Sequence, residues 1–260
     1  MVQKNKNNKS KPVRIRYNNN LKLDLDNSLD TLIKNGNVKL IANTHLVELT
    51  KNNSAIIEQM IKDDYGCIPF AEMIYKQIYS ENKRSFPDNE RAWVSLVRII
   101  DSDNNTQVWR YHRDVFYEII KFICDKKNDF IKNLSNKNIG IVDNLVGCLS
   151  ARIQSLPSKI CKYVSEYMGF GDNYFVDDYY IRSMLPFYLN YYKVNYTNIC
   201  TKKQLASRTW REKSMRYEDL FNLMNSLLDC INANKTKQQK LTKNELDHII
   251  WYCYKGYSRD

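Results

Sequence analysis

Apolar residues recur at three- and four-residue spacing along most of this chain, and helix-breaking residues rarely interrupt the pattern. Only seven glycines and five prolines occur in 260 residues. This spacing places apolar side chains on one face of a helix, so it predicts a mainly α-helical protein. With 43% apolar residues, the chain can bury one substantial core, and we expect a single helical body over residues 21–260.

Individual helices follow from the same spacing and from residues that begin or end helices. In the N-terminal half, helices are predicted over 54–61, 69–79, 88–100 and 110–123. In the C-terminal half, they are predicted over 142–153, 159–168 and 214–231, and from Tyr179 and Thr242 onward. Pro186 should kink the helix that begins at Tyr179. Segment 38–41 fits either a short strand or the start of a helix.

The formal charge of +11 is unevenly distributed. Residues 1–20 carry six basic residues and no acid in an asparagine-rich background, so we expect a disordered basic tail. A second basic segment, 202–216, surrounds a tryptophan and contains only one acid. Basic residues beside a stacking aromatic ring suit a phosphate backbone, although such a run can also be plain solvated surface. The candidate DNA contacts are Lys202, Lys203, Arg208, Trp210, Arg211 and Arg216.

The cysteines and histidines indicate no metal site or disulfide framework. The seven cysteines are odd in number and widely spread, and the sequence contains no CxxC pair. We therefore expect a reduced, intracellular protein of the cytoplasm. The three histidines lack metal-binding spacing, and no apolar run approaches the length of a membrane span. Neither a metal nor a membrane partner is expected.

An amine and a carboxylate stand at the starts of two successive predicted helices. Lys159 begins the first, directly after Leu156-Pro157-Ser158, and Asp178 precedes the second. The first helix should be about 15 Å long, and residues 169–177 span up to about 30 Å when extended. The connection is therefore long enough to return Asp178 to the side of Lys159. Each residue also has an ordinary explanation, as a surface lysine and as a helix cap.

The block Leu156-Pro157…Lys159…Val176-Asp177-Asp178…Ile181 resembles the core of the helix-hairpin-helix DNA glycosylases over about residues 140–192. In that family an LPGVGxK hairpin opens one helix, and an aspartate opens the next one, eighteen or nineteen positions after the lysine. The hairpin glycines are missing here, because only Ser158 stands between Pro157 and Lys159. The cysteine quartet that holds an iron–sulfur cluster in some relatives is also absent, so no cofactor is expected.

The resemblance implies a bilobal helical bundle of the DNA-glycosylase type that acts as a monomer on double-stranded DNA. A damaged or modified nucleotide would be flipped into a cleft, and base excision would be followed by a lyase step. Lys159 would attack the sugar and form a Schiff base, while Asp178 would stabilise positive charge on the deoxyribose. Asp177 is the alternative catalytic carboxylate.

Two other functions are open at this point. The missing hairpin glycines favour a catalytically inactive, helical nucleic-acid-binding or defence-associated protein of the same fold. The spacing between Lys159 and Asp178 favours the enzyme instead. A protein-interaction module with an incidental basic surface would have no affinity for DNA. The sequence does not name the base that an enzyme of this kind would remove.

Overall fold

The computed structural model describes residues 15–16, 39–40, 48–54, 90–104 and 106–255 of the chain. Within these ranges the protein is mainly helical, which confirms the class predicted from apolar spacing. The helices predicted over 54–61 and 69–79 lie outside the described residues, apart from Ser54.

A short antiparallel strand pair forms near the N-terminus. Strand β1 (Ile15–Arg16) pairs with β2 (Lys39–Leu40), with Ile15 opposite Leu40 and Arg16 opposite Lys39. Of the two structures that segment 38–41 allowed, the strand is therefore the one that forms. Ile15 and Arg16 belong to the basic segment 1–20, whose disorder stays a prediction because its other residues lie outside the described residues.

Helices make up most of the remaining described chain. They are α1 (Glu90–Asp103), α2 (Val108–Tyr111), α3 (Arg113–Asp125), α4 (Lys127–Ser135), α5 (Gly140–Gly147), α6 (Ser155–Tyr167), α7 (Tyr179–Tyr191), α8 (Lys202–Ala206), α9 (Tyr217–Asn232) and α10 (Lys243–Lys255). A π-helical turn (Trp210–Ser214) precedes α9, and a 3-10 turn (Lys237–Gln239) precedes α10. Helix α7 continues through Pro186 to Tyr191. None of the helices in the described ranges is long and apolar enough to cross a bilayer.

Two helix boundaries differ from the predicted ones in the region that resembles the glycosylases. Helix α5 ends at Gly147, because the chain then turns toward α3, where Glu118 Oε2 accepts the N–H of Ser150 at 2.8 Å. Helix α6 begins at Ser155, four residues before the predicted start. Pro157 is tolerated there because the first N–H groups of a helix have no partner within the helix.

One cluster of buried apolar side chains runs from Leu49, before α1, to Ile250 on α10. Helices α6 and α7 cross its centre and are buried along most of their length. Polar residues on these two helices are therefore also enclosed by the core, among them Lys159, Lys162 and Arg182. A buried charge is costly unless it is paired, so the partners of these three cations determine how the helices are fixed.

Arg182 on α7 is the central residue of a buried polar network. Its Nε donates to Asp177 Oδ1 at 2.5 Å and its Nη2 donates to Asp177 Oδ2 at 2.6 Å. The guanidinium also donates to Gln154 Oε1 and to the carbonyls of Arg211 and Met215. This network joins the start of α6, the start of α7 and the π-helical turn.

The Asp177–Arg182 pair should contribute strongly to folding. We expect Asp177→Ala to lower the free energy of unfolding by about 3–5 kcal/mol, because it leaves a buried guanidinium without its carboxylate. Urea denaturation measures the loss. The matched control is Glu212→Ala, which breaks the exposed Arg208–Glu212 pair and should change stability by less than about 1 kcal/mol. Equal effects of the two substitutions would contradict a structural role for Asp177.

Candidate functional site

The starts of α6 and α7 carry the amine and the carboxylate that the sequence singled out. Lys159 is only 5% exposed, and its Nζ donates to the carbonyl of Asn104, after α1, at 3.4 Å. Asp178 is half-buried and caps α7, because its Oδ1 accepts the N–H of Ile181 at 2.9 Å. The helix cap expected for Asp178 is therefore present, together with a buried amine beside it.

Lys159 and Asp178 are close enough for their charges to interact. Burial is the largest influence on Asp178 and raises the pKa of its carboxyl group. The Lys159 ammonium opposes this effect, whereas the carboxylates of Asp177 and Asp247 add to it, and the pKa of Asp178 is raised overall. The structure thus brings together two residues that are nineteen positions apart in the sequence.

The two adjacent aspartates have different surroundings. Asp177 is buried and both its oxygens accept hydrogen bonds from Arg182. Asp178 keeps partial exposure and interacts electrostatically with Lys159. Since Asp177 is fully engaged in the core, Asp178 is the more accessible of the two carboxylates.

Ser158 connects the two helix starts, a role that the sequence analysis missed. Its hydroxyl donates to the carbonyl of Ser155 at 2.9 Å and accepts the N–H of Asp177 at 2.9 Å. Leu156, Pro157 and Ser158 all belong to α6, so no hairpin loop occurs at this position. A backbone phosphate site like that of the glycosylase hairpin therefore has no counterpart here. A serine next to Lys159 was the only sequence signal for this link.

A second charged cluster lies one helical turn beyond Lys159. Lys162 is fully buried, and its Nζ lies 3.2 Å from Asp172 Oδ1, 3.3 Å from Glu166 Oε1 and 3.8 Å from Asp247 Oδ2. Burial lowers the pKa of Lys162, but these three carboxylates more than offset that effect and raise it overall. Because all three charges surround one amine, Lys162 serves to hold α6, the following loop and α10 together.

Asp247 links this cluster to the segment before Asp178. Its Oδ2 accepts the N–H of Val176 at 3.1 Å, and its Oδ1 lies 3.0 Å from Nδ1 of His248. Burial raises the pKa of Asp247, but Lys162 and His248 reverse the effect and lower it overall. Burial lowers the pKa of His248, but Asp247 more than offsets this effect, so the pKa is raised overall. His248 is thus stabilised in its charged form.

The structure divides the six predicted DNA contacts. Lys202 and Lys203 on α8 are exposed, as is Arg208. Arg208 pairs with Glu212 at 2.7 Å and lies over the Tyr179 ring at 5.9 Å. Because Tyr179 follows Asp178 directly, the basic segment borders the Lys159–Asp178 pair.

The remaining three candidates are less accessible to a phosphate. Arg216 is exposed but pairs with Glu218 at 3.2 Å, and Trp210 is half-buried against the core. Arg211 is only 1% exposed, and its Nη1 donates to the carbonyl of Leu205 at 2.6 Å. Arg211 was therefore wrongly predicted as a DNA contact. The π-helical turn directs this side chain into the protein.

A separate groove of about 590 Å³ opens on another part of the surface. It lies between α3, α4 and α5 and includes neither Lys159 nor Asp178 among its lining residues. Asp143 lines it, but both carboxylate oxygens of Asp143 accept N–H groups at the start of α9, at 2.8 and 3.0 Å. The Asp143 carboxylate in the groove is therefore occupied as a helix cap, and Lys126 and Asp129 are the other charged residues that line it.

Comparison with protein-family models, curated proteins and solved structures finds no match to the chain. The chemistry of the side chains is therefore the basis for assigning a function. Among the described residues, Lys159 is a buried amine that interacts electrostatically with Asp178, a carboxylate that keeps partial exposure.

Stability should depend on pH through His248. The pKa of His248 is raised in the folded protein. Its protonation therefore contributes fully to stability below the ordinary pKa of 6.5, and this contribution is lost as the pH rises through the folded-state pKa. We expect the free energy of unfolding to fall over that window, and His248→Gln to reduce the fall. Urea denaturation at pH 6 and above pH 8 provides the measurement. His112→Gln, at an exposed histidine, is the control and should leave the fall intact.

Salt dependence tests the exposed part of the basic segment. If Lys202 and Lys203 contact phosphates, Lys202→Gln/Lys203→Gln should reduce the slope of log affinity against log salt by about two for duplex DNA. Fluorescence anisotropy at several salt concentrations gives the slope. Lys237→Gln/Lys240→Gln removes the same charge from exposed positions outside the segment. An equal change in this control would assign the effect to overall charge.

Proposed function

We propose that the protein is a DNA glycosylase with an associated lyase step, acting on damaged or modified DNA inside the cell. The observation that carries the proposal is the electrostatic interaction between buried Lys159 and the half-buried cap Asp178. In this proposal the helices form two lobes, and a monomer receives one flipped nucleotide in the cleft between them.

Asp178 would act on charge that develops during base release. As the bond between base and sugar breaks, positive charge accumulates on the deoxyribose, and a nearby carboxylate stabilises it. The partial burial of Asp178 strengthens this interaction, because less water screens the two charges. Its bond to the N–H of Ile181 fixes the carboxylate before the substrate arrives.

Lys159 would supply the nucleophile. Attack of its neutral amine on the sugar carbon displaces the base, and opening of the sugar ring then gives a Schiff base that permits strand cleavage. Asp178 would accept the proton that the amine must lose, and its electrostatic interaction with Lys159 supports this role. The bond from Lys159 to the Asn104 carbonyl is long, at 3.4 Å, and is therefore a weak hydrogen bond.

A nucleic-acid-binding protein without catalysis is the second candidate. It is favoured by the helical conformation of Leu156, Pro157 and Ser158, which removes the hairpin that anchors DNA in the glycosylases. This candidate keeps the exposed basic residues Lys202 and Lys203 but assigns Lys159 and Asp178 to folding. It predicts DNA binding without any covalent intermediate.

Borohydride trapping distinguishes the two candidates. With lesion-bearing duplex oligonucleotides, the enzyme should give a covalent protein–DNA adduct, because reduction fixes the Schiff base. Lys159→Arg should abolish the adduct while retaining the positive charge beside Asp178, and Lys159→Gln should abolish it as well. DNA binding by both variants should stay close to that of the parent protein. An adduct formed by folded Lys159→Arg would show that another amine is the nucleophile.

Asp178→Asn tests the role proposed for the Asp178 carboxylate in base release. It should slow base release more than it weakens DNA binding, since the carboxylate acts mainly on charge in the transition state. Loss of the cap should also cost about 1 kcal/mol of stability, so single-turnover rates are compared at a temperature where both proteins are folded. DNA binding without base release on any lesion would favour the second candidate.

A further inference from the structure

Six basic and aromatic residues cluster on α1, α2 and α3, away from the basic segment 202–216. This cluster, called the Trp109 patch below, consists of Arg98, Trp109, Arg110, Tyr111, Arg113 and Tyr117. All but the half-buried Trp109 are exposed. The patch has no role in the proposed base excision.

Asp101 holds the patch in place. This buried carboxylate, near the end of α1, accepts the N–H of Val108 at 2.9 Å and the N–H of Trp109 at 3.0 Å. Helix α2 is thereby fixed against α1, and α3 follows after His112. Because buried hydrogen bonds determine the position of the Trp109 backbone, its ring is presented at a defined place on the surface.

The rings of Trp109 and Tyr111 restrain the arginine side chains of the patch. The Cζ atoms of Arg98 and Arg113 lie 4.6 and 4.7 Å from the centre of the Trp109 ring. Arg110 lies similarly over Tyr111, at 5.2 Å. Stacking on a ring restrains a guanidinium while its N–H groups at the edge can still donate to an anion. Such restraint lowers the entropy lost when the arginine binds a ligand.

The three guanidiniums are not neutralised by neighbouring acids. In the part of the chain that the structure describes, no carboxylate forms an ion pair with Arg98, Arg110 or Arg113. Asp101 is already occupied by backbone N–H groups and the hydroxyl of Thr106. Asp103 and Asp114 are exposed nearby but lie beyond ion-pair distance. The patch therefore offers three ordered positive charges to a polyanion.

Two tyrosines add stacking surfaces beside these charges. Tyr111 is 63% exposed and Tyr117 is 41% exposed, which is unusual for large rings in this protein. Exposed rings next to arginines suit unpaired bases, whose faces can stack, whereas a duplex hides those faces. We propose that the Trp109 patch binds single-stranded nucleic acid, with phosphates on Arg98, Arg110 and Arg113 and bases on the tyrosines.

This binding site is independent of the proposed glycosylase chemistry. It involves neither Lys159 nor Asp178, so Lys159→Gln should bind single strands as the parent protein does. The probe is a fluorescein-labelled oligothymidylate of about 12 nucleotides, compared with a blunt duplex of equal length. Fluorescence anisotropy with the full chain gives both affinities.

Removal of charge from the patch should weaken single-strand binding. Arg98→Gln/Arg113→Gln is expected to reduce oligothymidylate affinity about tenfold or more and to lower the salt slope by about 1.4. Lys126→Gln/Lys132→Gln removes the same charge from exposed positions between α3 and α4 and on α4, and should change affinity less than about twofold. Equal losses in the two double variants would overturn the proposal.

Removal of the Tyr111 ring tests whether the patch distinguishes single strands from duplexes. Tyr111→Ala is expected to reduce oligothymidylate affinity about tenfold, because one stacked base is lost, and to leave duplex affinity nearly unchanged. Tyr111 is exposed, so circular dichroism and thermal unfolding should match the parent protein. Parent protein that binds the duplex as tightly as the single strand, or Tyr111→Ala with unchanged affinity, would overturn the assignment.

Discussion

The buried pair of Asp177 and Arg182 is the interaction on which the arrangement of the site depends. Arg182 satisfies its donors with Asp177, Gln154 and two carbonyls of the π-helical turn, so three segments must meet around one guanidinium. Asp177 is thereby fixed in the core at the last position before the cap of α7. Successive side chains in extended backbone point to opposite sides, so Asp178 faces away from Arg182 and toward the start of α6. Asp177, which is held in the core, thus positions Asp178, the carboxylate that the proposed function uses.

Lys159 and Lys162 lie on the same helix, α6, but have different charged neighbours. Lys162 lies among Glu166, Asp172 and Asp247, and this excess of negative charge keeps it protonated. Lys159, three residues earlier, lies beside Asp178 and a carbonyl oxygen. A lysine surrounded by three carboxylates is suited to joining helices. Lys162 therefore has a structural role, whereas Lys159, which interacts with Asp178, is the residue to which the proposed function assigns the nucleophile.

Apolar spacing predicted the class and most long helices of the described chain, because α1, α3 and α9 each bury one apolar face. Helix α4 was missed, since only Phe130 and Leu134 are buried in it. The spacing between Lys159 and Asp178 identified a pair that the fold brings together. Arg211 was misjudged because an unpredictable π-helical turn, and not local composition, decides which basic side chain turns inward. Burial of a charge depends on partners far along the chain, which periodicity does not reveal.

The turn after α1 connects the candidate site to the Trp109 patch. Asn104 accepts a hydrogen bond from Lys159 through its carbonyl, and its side-chain oxygen accepts one from Tyr163 at 3.0 Å. Asp101, three residues earlier, fixes the backbone of Trp109. The segment that covers the Lys159 amine is therefore continuous with the segment that presents the patch. A strand bound to Arg98 would therefore contact the same helix, α1, whose end is followed by the Asn104 carbonyl that accepts from Lys159.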